Sequence, residues 1–257
     1  MTSVQWWHWN DLLAYLFYVW LPLGLAYASY LVWIKESARK SRVFFAVSLI
    51  IIGLAEGSPI DDLSAYLLSV HMSQHLLFFL AAPAFFLLGL PIAEVKPLLN
   101  RFKPIVNLLT APVSGALLSA GVLIGWHIPV VFNFALHHEI IHFFEHVTLF
   151  AAGLLFWWPI LSPFEEYPKL SYPMQCIYLF LARLPQIPLA VFLTLAKDPV
   201  YDYASAPRLW SISAATDQTL GGLIMWVPID FLFLGLIGVI FFTWYEQSEK
   251  EPEKDAS

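Results

Sequence analysis

The chain has 257 residues, of which 59% are hydrophobic and only 12% charged. That excess of apolar residues excludes an ordinary soluble domain, while the net charge of −6 decides little, because the placement of Lys and Arg rather than total charge sets membrane topology. A single cysteine, Cys176, excludes an internal disulfide and any Cys-x-x-Cys metal or redox motif.

The N-terminal stretch MTSVQWWHWND has no basic n-region, so no cleavable signal peptide is predicted and the first apolar segment reads as a permanent span. Seven spans are expected in chain order: Asp11–Ile34, Arg42–Ala55, Leu63–Leu90, Ile105–His127, Glu139–Ile160, Pro173–Ala196 and Asp217–Tyr245. The second has the shortest apolar run. The others approach the roughly 20 residues that cross a bilayer, and their uniform apolarity marks helices rather than alternating strands. Eleven Trp and eleven Tyr suit interfacial belts. The fold class is therefore all-α, a polytopic bundle of seven transmembrane helices. It forms one domain over residues 1–246, followed by a polar tail, 247–257, expected to be disordered. The lipid bilayer is its surrounding, and no nucleic-acid partner is expected.

Basic residues orient the bundle. Lys35, Arg39, Lys40 and Arg42 fall between spans one and two, Lys96, Arg101 and Lys103 between three and four, Lys169 between five and six, and Lys250 and Lys254 after span seven. With seven crossings all of these share one face. The opposite face receives only Lys197 and Arg208, with the acidic stretch EGSPIDD around Glu56, Asp61 and Asp62. The N-terminus is thus expected outside and the C-terminus in the cytoplasm.

All eight histidines then fall toward the outer face. His71 and His75 form one i,i+4 pair and His142 and His146 another, and residues four apart share a helix face. At 1.5 Å per residue, the first pair lies about 12 and 18 Å into its span and the second about 6 and 12 Å into its own. His127 ends the fourth span. His8, His137 and His138 are interfacial or loop residues. Imidazoles inside a hydrophobic span are costly and usually functional. Two pairs plus His127, with the soft thioethers Met72 and Met225 as accessories, suit copper, especially Cu(I), better than magnesium or calcium. The alternative is that these histidines are interhelical hydrogen-bond partners.

His142-Phe-Phe-Glu-His146 matches the His-x-x-Glu-His arrangement of inverted zinc metalloproteases, in which Glu145 would activate water. A carboxylate that orients a ligand imidazole, or a proton relay, fits Glu145 as well. Asp217 is either a helix N-cap or an outer-face carboxylate on the metal's way in, alongside Asp61 and Asp62. Gly221-Gly222 allows close helix approach. Arg183, near Pro185 and Pro188, needs a carboxylate or carbonyl partner inside the membrane. Haem held by two histidines competes with a metal ion, but two ligands on one helix face cannot occupy opposite axial positions of one haem.

HMSQHLLFFLAAPAFFLLGLP (His71–Pro91), GWHIPVVFNFAL (Gly125–Leu136), HFFEHVTLFAAGLLFWWPI (His142–Ile160) and DQTLGGLIMWVP (Asp217–Pro228), with SPID (Ser58–Asp61), resemble the membrane-spanning CtaG family of cytochrome c oxidase assembly factors. The single-span copper chaperone also called CtaG shares only the name, since its cysteine motif is absent. The resemblance implies a seven-helix protein of the bacterial plasma membrane, needed to make an active haem–copper oxidase and not itself an enzyme. It would serve copper insertion, with an oxidase subunit or another copper chaperone as partner. The family's motif histidines map onto His71, His75, His127, His142 and His146. Span six, with Arg183 and its prolines, departs most from the family pattern.

Overall fold

The computed structural model describes residues 9–34, 39–164, 167 and 169–255, and His8 and Lys35 lie outside these. Apart from short 3-10 and π turns, the described elements are α-helices: α1 (Asp11–Trp33), α2 (Arg39–Glu56), α3 (Pro59–Ser64), α4 (Leu68–Gly89), α5 (Ile92–Arg101), α6 (Lys103–Thr110), α7 (Pro112–Trp126), α8 (Pro129–Leu136), α9 (Glu139–Leu161), α10 (Tyr172–Leu195) and α11 (Ala214–Asp255). Five are long and apolar enough to cross a bilayer, namely α1, α4, α9, α10 and α11.

Four expectations need correction. The predicted fourth span is two helices, α6 and α7, bent by 70°. Ala111, extended at φ −60° and ψ 142°, precedes Pro112, whose ring disfavours helical backbone before it. Counting that pair as one span gives six helices or bent pairs that qualify as crossings by length and composition. The predicted second span does form a helix, α2, but its ends carry Arg39, Lys40, Arg42 and Glu56, which keeps it out of the clearly apolar set. The third does not run unbroken from Leu63, because Leu67 is extended and α4 starts at Leu68. Finally, α11 continues as helix to Asp255, so the polar tail begins as helix rather than as disordered chain.

Helix α4 is the centre of the bundle, with 56% of its apolar stretch buried against 6% for α1. It packs on α2, α9 and α11. Small residues set the closest approaches. A Cβ on Gly89 would collide with the Phe45 backbone, one on Gly222 with Thr194, and one on Gly153 with the Phe79 carbonyl and Pro83. Gly222 thus has the close-approach role expected of it, here against α10.

Two π turns, Leu16–Trp20 in α1 and Leu77–Ala81 in α4, each end two residues before a proline, Pro22 or Pro83. A proline donates no N–H to the preceding turn, and widening that turn changes which carbonyls lack a helical donor. At the α4 turn, neighbouring helices donate to nearby carbonyls. Trp157 Nε1 donates to the Leu80 carbonyl (2.8 Å) and Ser48 Oγ to that of Ala82 (2.8 Å). Because Gly153 lies against this segment, Gly153→Val is expected to destabilise the protein by about 1–3 kcal/mol or more through overpacking. Thermal unfolding in detergent measures it.

The arginine of α10 is held by α11. α10 breaks into a 3-10 turn at Leu184–Gln186, where Pro185 and Pro188 follow Arg183. Arg183 donates through Nε to Asp230 of α11 (2.8 Å) and through Nη2 to the Met225 carbonyl (2.9 Å). Cys176, half-buried on α10, points its thiol at the Ile237 carbonyl (3.7 Å).

Candidate metal centre

His71 and His75 are the fourth and eighth residues of α4, and His142 and His146 are the fourth and eighth of α9. All four therefore lie about 5 and 10 Å from the starts of their helices, at matching depth, whereas the sequence had set the first pair deeper. Asp217 fixes the start of α4. Its carboxylate accepts from the backbone N–H groups of Leu68 (2.7 Å) and Ser69 (3.1 Å) and from the Ser69 hydroxyl (2.6 Å). Asp217 is thus a cap, as one reading had it, but for a different helix from its own. Both of its oxygens are engaged in that cap. Asp217→Ala is expected to cost about 1–2 kcal/mol, visible as a fall of several degrees in thermal unfolding, with Asp217→Asn losing less.

The two pairs face each other. His71 Nε2 lies 2.7 Å from His75 Nε2. The ring of His71 is 5.1 Å from that of His142 and 6.0 Å from that of His146, centroid to centroid. The C-cap of α7, His127, closes the group 5.3 Å from the ring of His75. One ligand atom from each of His71, His75 and His146 lies within 4.8 Å of the others, and the same holds for His71, His142 and Glu145. All five rings except that of His142 are fully buried.

The hydrogen bonds around the cluster decide where the imidazole lone pairs point. A neutral imidazole has one donor and one acceptor nitrogen. The Tyr203 hydroxyl donates its one proton to the Ser64 carbonyl (2.5 Å), so it accepts from His71 Nδ1 (2.9 Å). Burial, followed by the negative charges of Asp217 and Glu145, pushes that hydroxyl well above the usual phenol range, which keeps the proton in place. His127 Nδ1 donates to the Leu123 carbonyl (2.7 Å), and His146 Nδ1 donates to the Glu56 carboxylate. In all three rings the Nδ1 proton is committed outward and the Nε2 lone pair faces the interior, where that of His71 accepts from His75 Nε2.

Several of these inward atoms have no protein partner. His127 Nε2 faces the Met72 sulfur at 3.3 Å, two lone-pair donors with no hydrogen between them. His75 Nδ1, His142 Nε2, His146 Nε2 and both Glu145 carboxylate oxygens are buried without a hydrogen bond among the described residues. Glu145 Oε1 is 3.3 Å from His75 Nε2. Buried polar atoms are nearly always satisfied, so a concentration of orphaned donors of this kind fits a cation. Imidazole nitrogen with a thioether and one carboxylate suits a soft or borderline transition metal.

Of the two carboxylates at the cluster, Glu145 and Glu56, it is Glu56 that bonds to His146. Glu145 faces His75, and Glu56, at the end of α2, takes the orienting role. Met225 is buried in α11, and no hydrogen-bond-range contact joins its sulfur to a histidine among the described residues. His137 and His138 stay outside the cluster, His137 exposed against Asp202 (3.1 Å) and His138 donating to the Phe134 carbonyl (2.7 Å). Asp61 accepts from Gln74 (3.2 Å), its carboxyl raised to about 6 first by burial and then by the charge of Glu56.

Two surfaces bound the cluster. Phe132, Tyr201 and Tyr203 cover one side of it, with the Phe132 and Tyr201 ring centroids 4.0 Å apart and Tyr201 donating to the His127 carbonyl (2.8 Å). On the lateral side a cavity of about 370 Å³ lies between α1, α2, α4 and α9, lined by apolar residues except where Glu56 and His146 form part of its wall. Sequence reasoning missed Glu56 as a histidine partner and missed Tyr201 and Tyr203 altogether, since they lie 90, 74 and 132 residues from the histidines they touch.

A family model described as cytochrome c oxidase caa3 assembly factor matches residues 16–247 of the 257. The chain belongs to this caa3 oxidase assembly-factor family. The match spans the five clustered histidines, Met72, Glu145, Glu56 and Asp217, and its length agrees with the resemblance carried by the histidine motifs. No curated protein and no solved structure matches the chain. In this member of the assembly-factor family, the polar groups most concentrated inside the apolar bundle are those of the histidine cluster.

Proposed function

We propose that this assembly factor binds copper as cargo, in the Cu(I) state, between α4, α7 and α9, and delivers it to a subunit of a haem–copper oxidase or to another copper chaperone. One observation carries the reading. Three imidazoles are held by Tyr203, Leu123 and Glu56 so that their Nε2 lone pairs enter one buried space beside the Met72 thioether. His71, His75, His127, His142 and His146 would hold the ion, with Met72 and Glu145 as accessory donors. Fixing tautomers from outside the ligand set is how proteins tune imidazole ligands. Delivery also requires a way out, which the lateral cavity at Glu56 and His146 supports.

The reading takes α2 as a crossing helix, giving seven spans. Its support is contact along the whole of α4. Phe45 packs at Gly89, Ser48 bonds to Ala82, Gln74 bonds to the Ala55 carbonyl (2.7 Å), and Glu56 reaches the cluster end. With that crossing, Arg39, Lys40, Arg42, Lys96, Arg101, Lys103, Lys169 and Lys250 share the face away from the histidines. The N-terminus is then outside, the C-terminus cytoplasmic, and the bilayer the bacterial plasma membrane.

Metal analysis and an optical spectrum of the purified full-length protein test this together. Stoichiometric copper without a Soret band is expected, and a copper-free preparation from copper-replete cells overturns direct binding. A Soret band would instead indicate haem. The convergence of His71, His142 and Glu145 favours a second reading, a two-histidine, one-carboxylate zinc centre of hydrolytic type. It requires stoichiometric zinc and a proteolytic activity that Glu145→Gln abolishes with the metal retained.

A further inference from the structure

Arg183 and Asp230 form an ion pair far from the histidines. Arg183 is eleven residues from the start of α10 and twelve from its end, about 17 and 18 Å along the helix axis, which places the pair near mid-membrane. The guanidinium is buried and well supplied with acceptors: Asp230, the Met225 carbonyl and Gln186 Oε1 (3.4 Å). The carboxylate is different. The Asp230 side chain is 32% exposed, and no donor among the described residues reaches its Oδ2. Beside it a cavity of about 190 Å³ opens at the bundle surface, lined otherwise by apolar side chains such as Phe180, Leu184, Phe233 and Leu234. Phe180 and Leu234 around the opening are themselves 58% and 63% exposed.

Acyl chains offer no hydrogen bond to such an oxygen, and ionised groups inside membranes face protein or water rather than lipid. A second copy of this chain is a poor occupant. A two-fold contact pairs a patch with itself, and this patch presents a carboxylate and apolar side chains while its one cation stays buried. We propose that the α10–α11 face around Asp230 docks a transmembrane helix of the oxidase subunit under assembly, and that this helix carries a hydrogen-bond donor side chain at mid-membrane depth which enters the cavity and bonds to Asp230 Oδ2. The choice of partner rests on the assembly role proposed above; the need for a donor does not.

Site-specific photocrosslinking in intact membranes tests it. A photoreactive residue replaces Phe180 in one protein and Phe17, exposed on α1, in another, in cells that carry epitope-tagged oxidase subunits. The Phe180 position is expected to yield an adduct with a tagged subunit at least fivefold above the Phe17 position. Leu234→Trp, which fills the cavity and leaves the ion pair intact, is expected to cut that adduct at least fivefold, as is Asp230→Leu. Adducts with lipid only, adducts with a second copy of the chain, or a subunit adduct that Leu234→Trp leaves unchanged would overturn the docking inference. If oxidase activity needs the chain and no subunit adduct forms, docking alone falls. If deletion of the chain leaves oxidase activity and metal content intact, the assembly reading falls with it.

Discussion

His75→Ala combined with His146→Ala is expected to abolish copper retention by the purified protein and to bring oxidase activity in membranes down to that of cells lacking the chain. His75 Nε2 is in contact with His71, and His146 supplies an inward lone pair fixed by Glu56, so the double change removes one ligand from each histidine helix and breaks the closest nitrogen group. His137→Ala with His138→Ala serves as the control, since both rings bond outside the cluster. Metal content by elemental analysis, with thermal unfolding to show that both variants fold, measures the outcome. Equal copper in the parent and the cluster variant would end the direct-binding claim without touching the assembly role.

Glu56→Gln is expected to weaken copper binding about 10–100-fold, the usual consequence of losing a carboxylate that orients a ligand imidazole. The glutamine amide fills the same space but carries no charge. It can present either a donor or an acceptor to His146 Nδ1, so the tautomer with its lone pair on Nε2 is no longer enforced. Glu56 is outside the proposed ligand set, which separates this result from ligand deletion. The protein should still hold copper when the metal is in excess, and lose it to a competing chelator at lower chelator concentration. Competition titration reads the shift directly, and an unchanged affinity would reduce Glu56 to a packing residue.

The helices and the histidine pairs were legible because both are local signals: long apolar runs, and residues four apart on one face. Their convergence was inferred from counting crossings, and it depended on α2 lying alongside α4. The depth of the first pair was misjudged because nothing at Tyr66 or Leu67 resembles a breaker, there being no Gly or Pro, and the helix start is dictated by Asp217 from another part of the chain. The bend at Ala111–Pro112 had a visible cause that apolar run length concealed. Which imidazole Glu145 faces had no sign in the sequence: adjacent residues on a helix point about 100° apart, and the carboxylate faces His75 rather than its neighbour His146. Asp230 answers the partner expected for Arg183, yet nothing in the sequence pairs residues 47 apart on different helices.

The cap on α4 also sets an order on biosynthesis. Leu68 and Ser69 wait for a carboxylate 149 and 148 residues further along the chain, in α11. Until α11 is inserted, the helix bearing His71 and His75 has no partner for its first backbone N–H groups. Tyr203, which holds His71 in register, also emerges only shortly before α11. A nascent chain therefore carries its histidines without the geometry that makes them a site until α11 is in place. A truncated product lacking α11 would be left in the membrane without a properly formed centre.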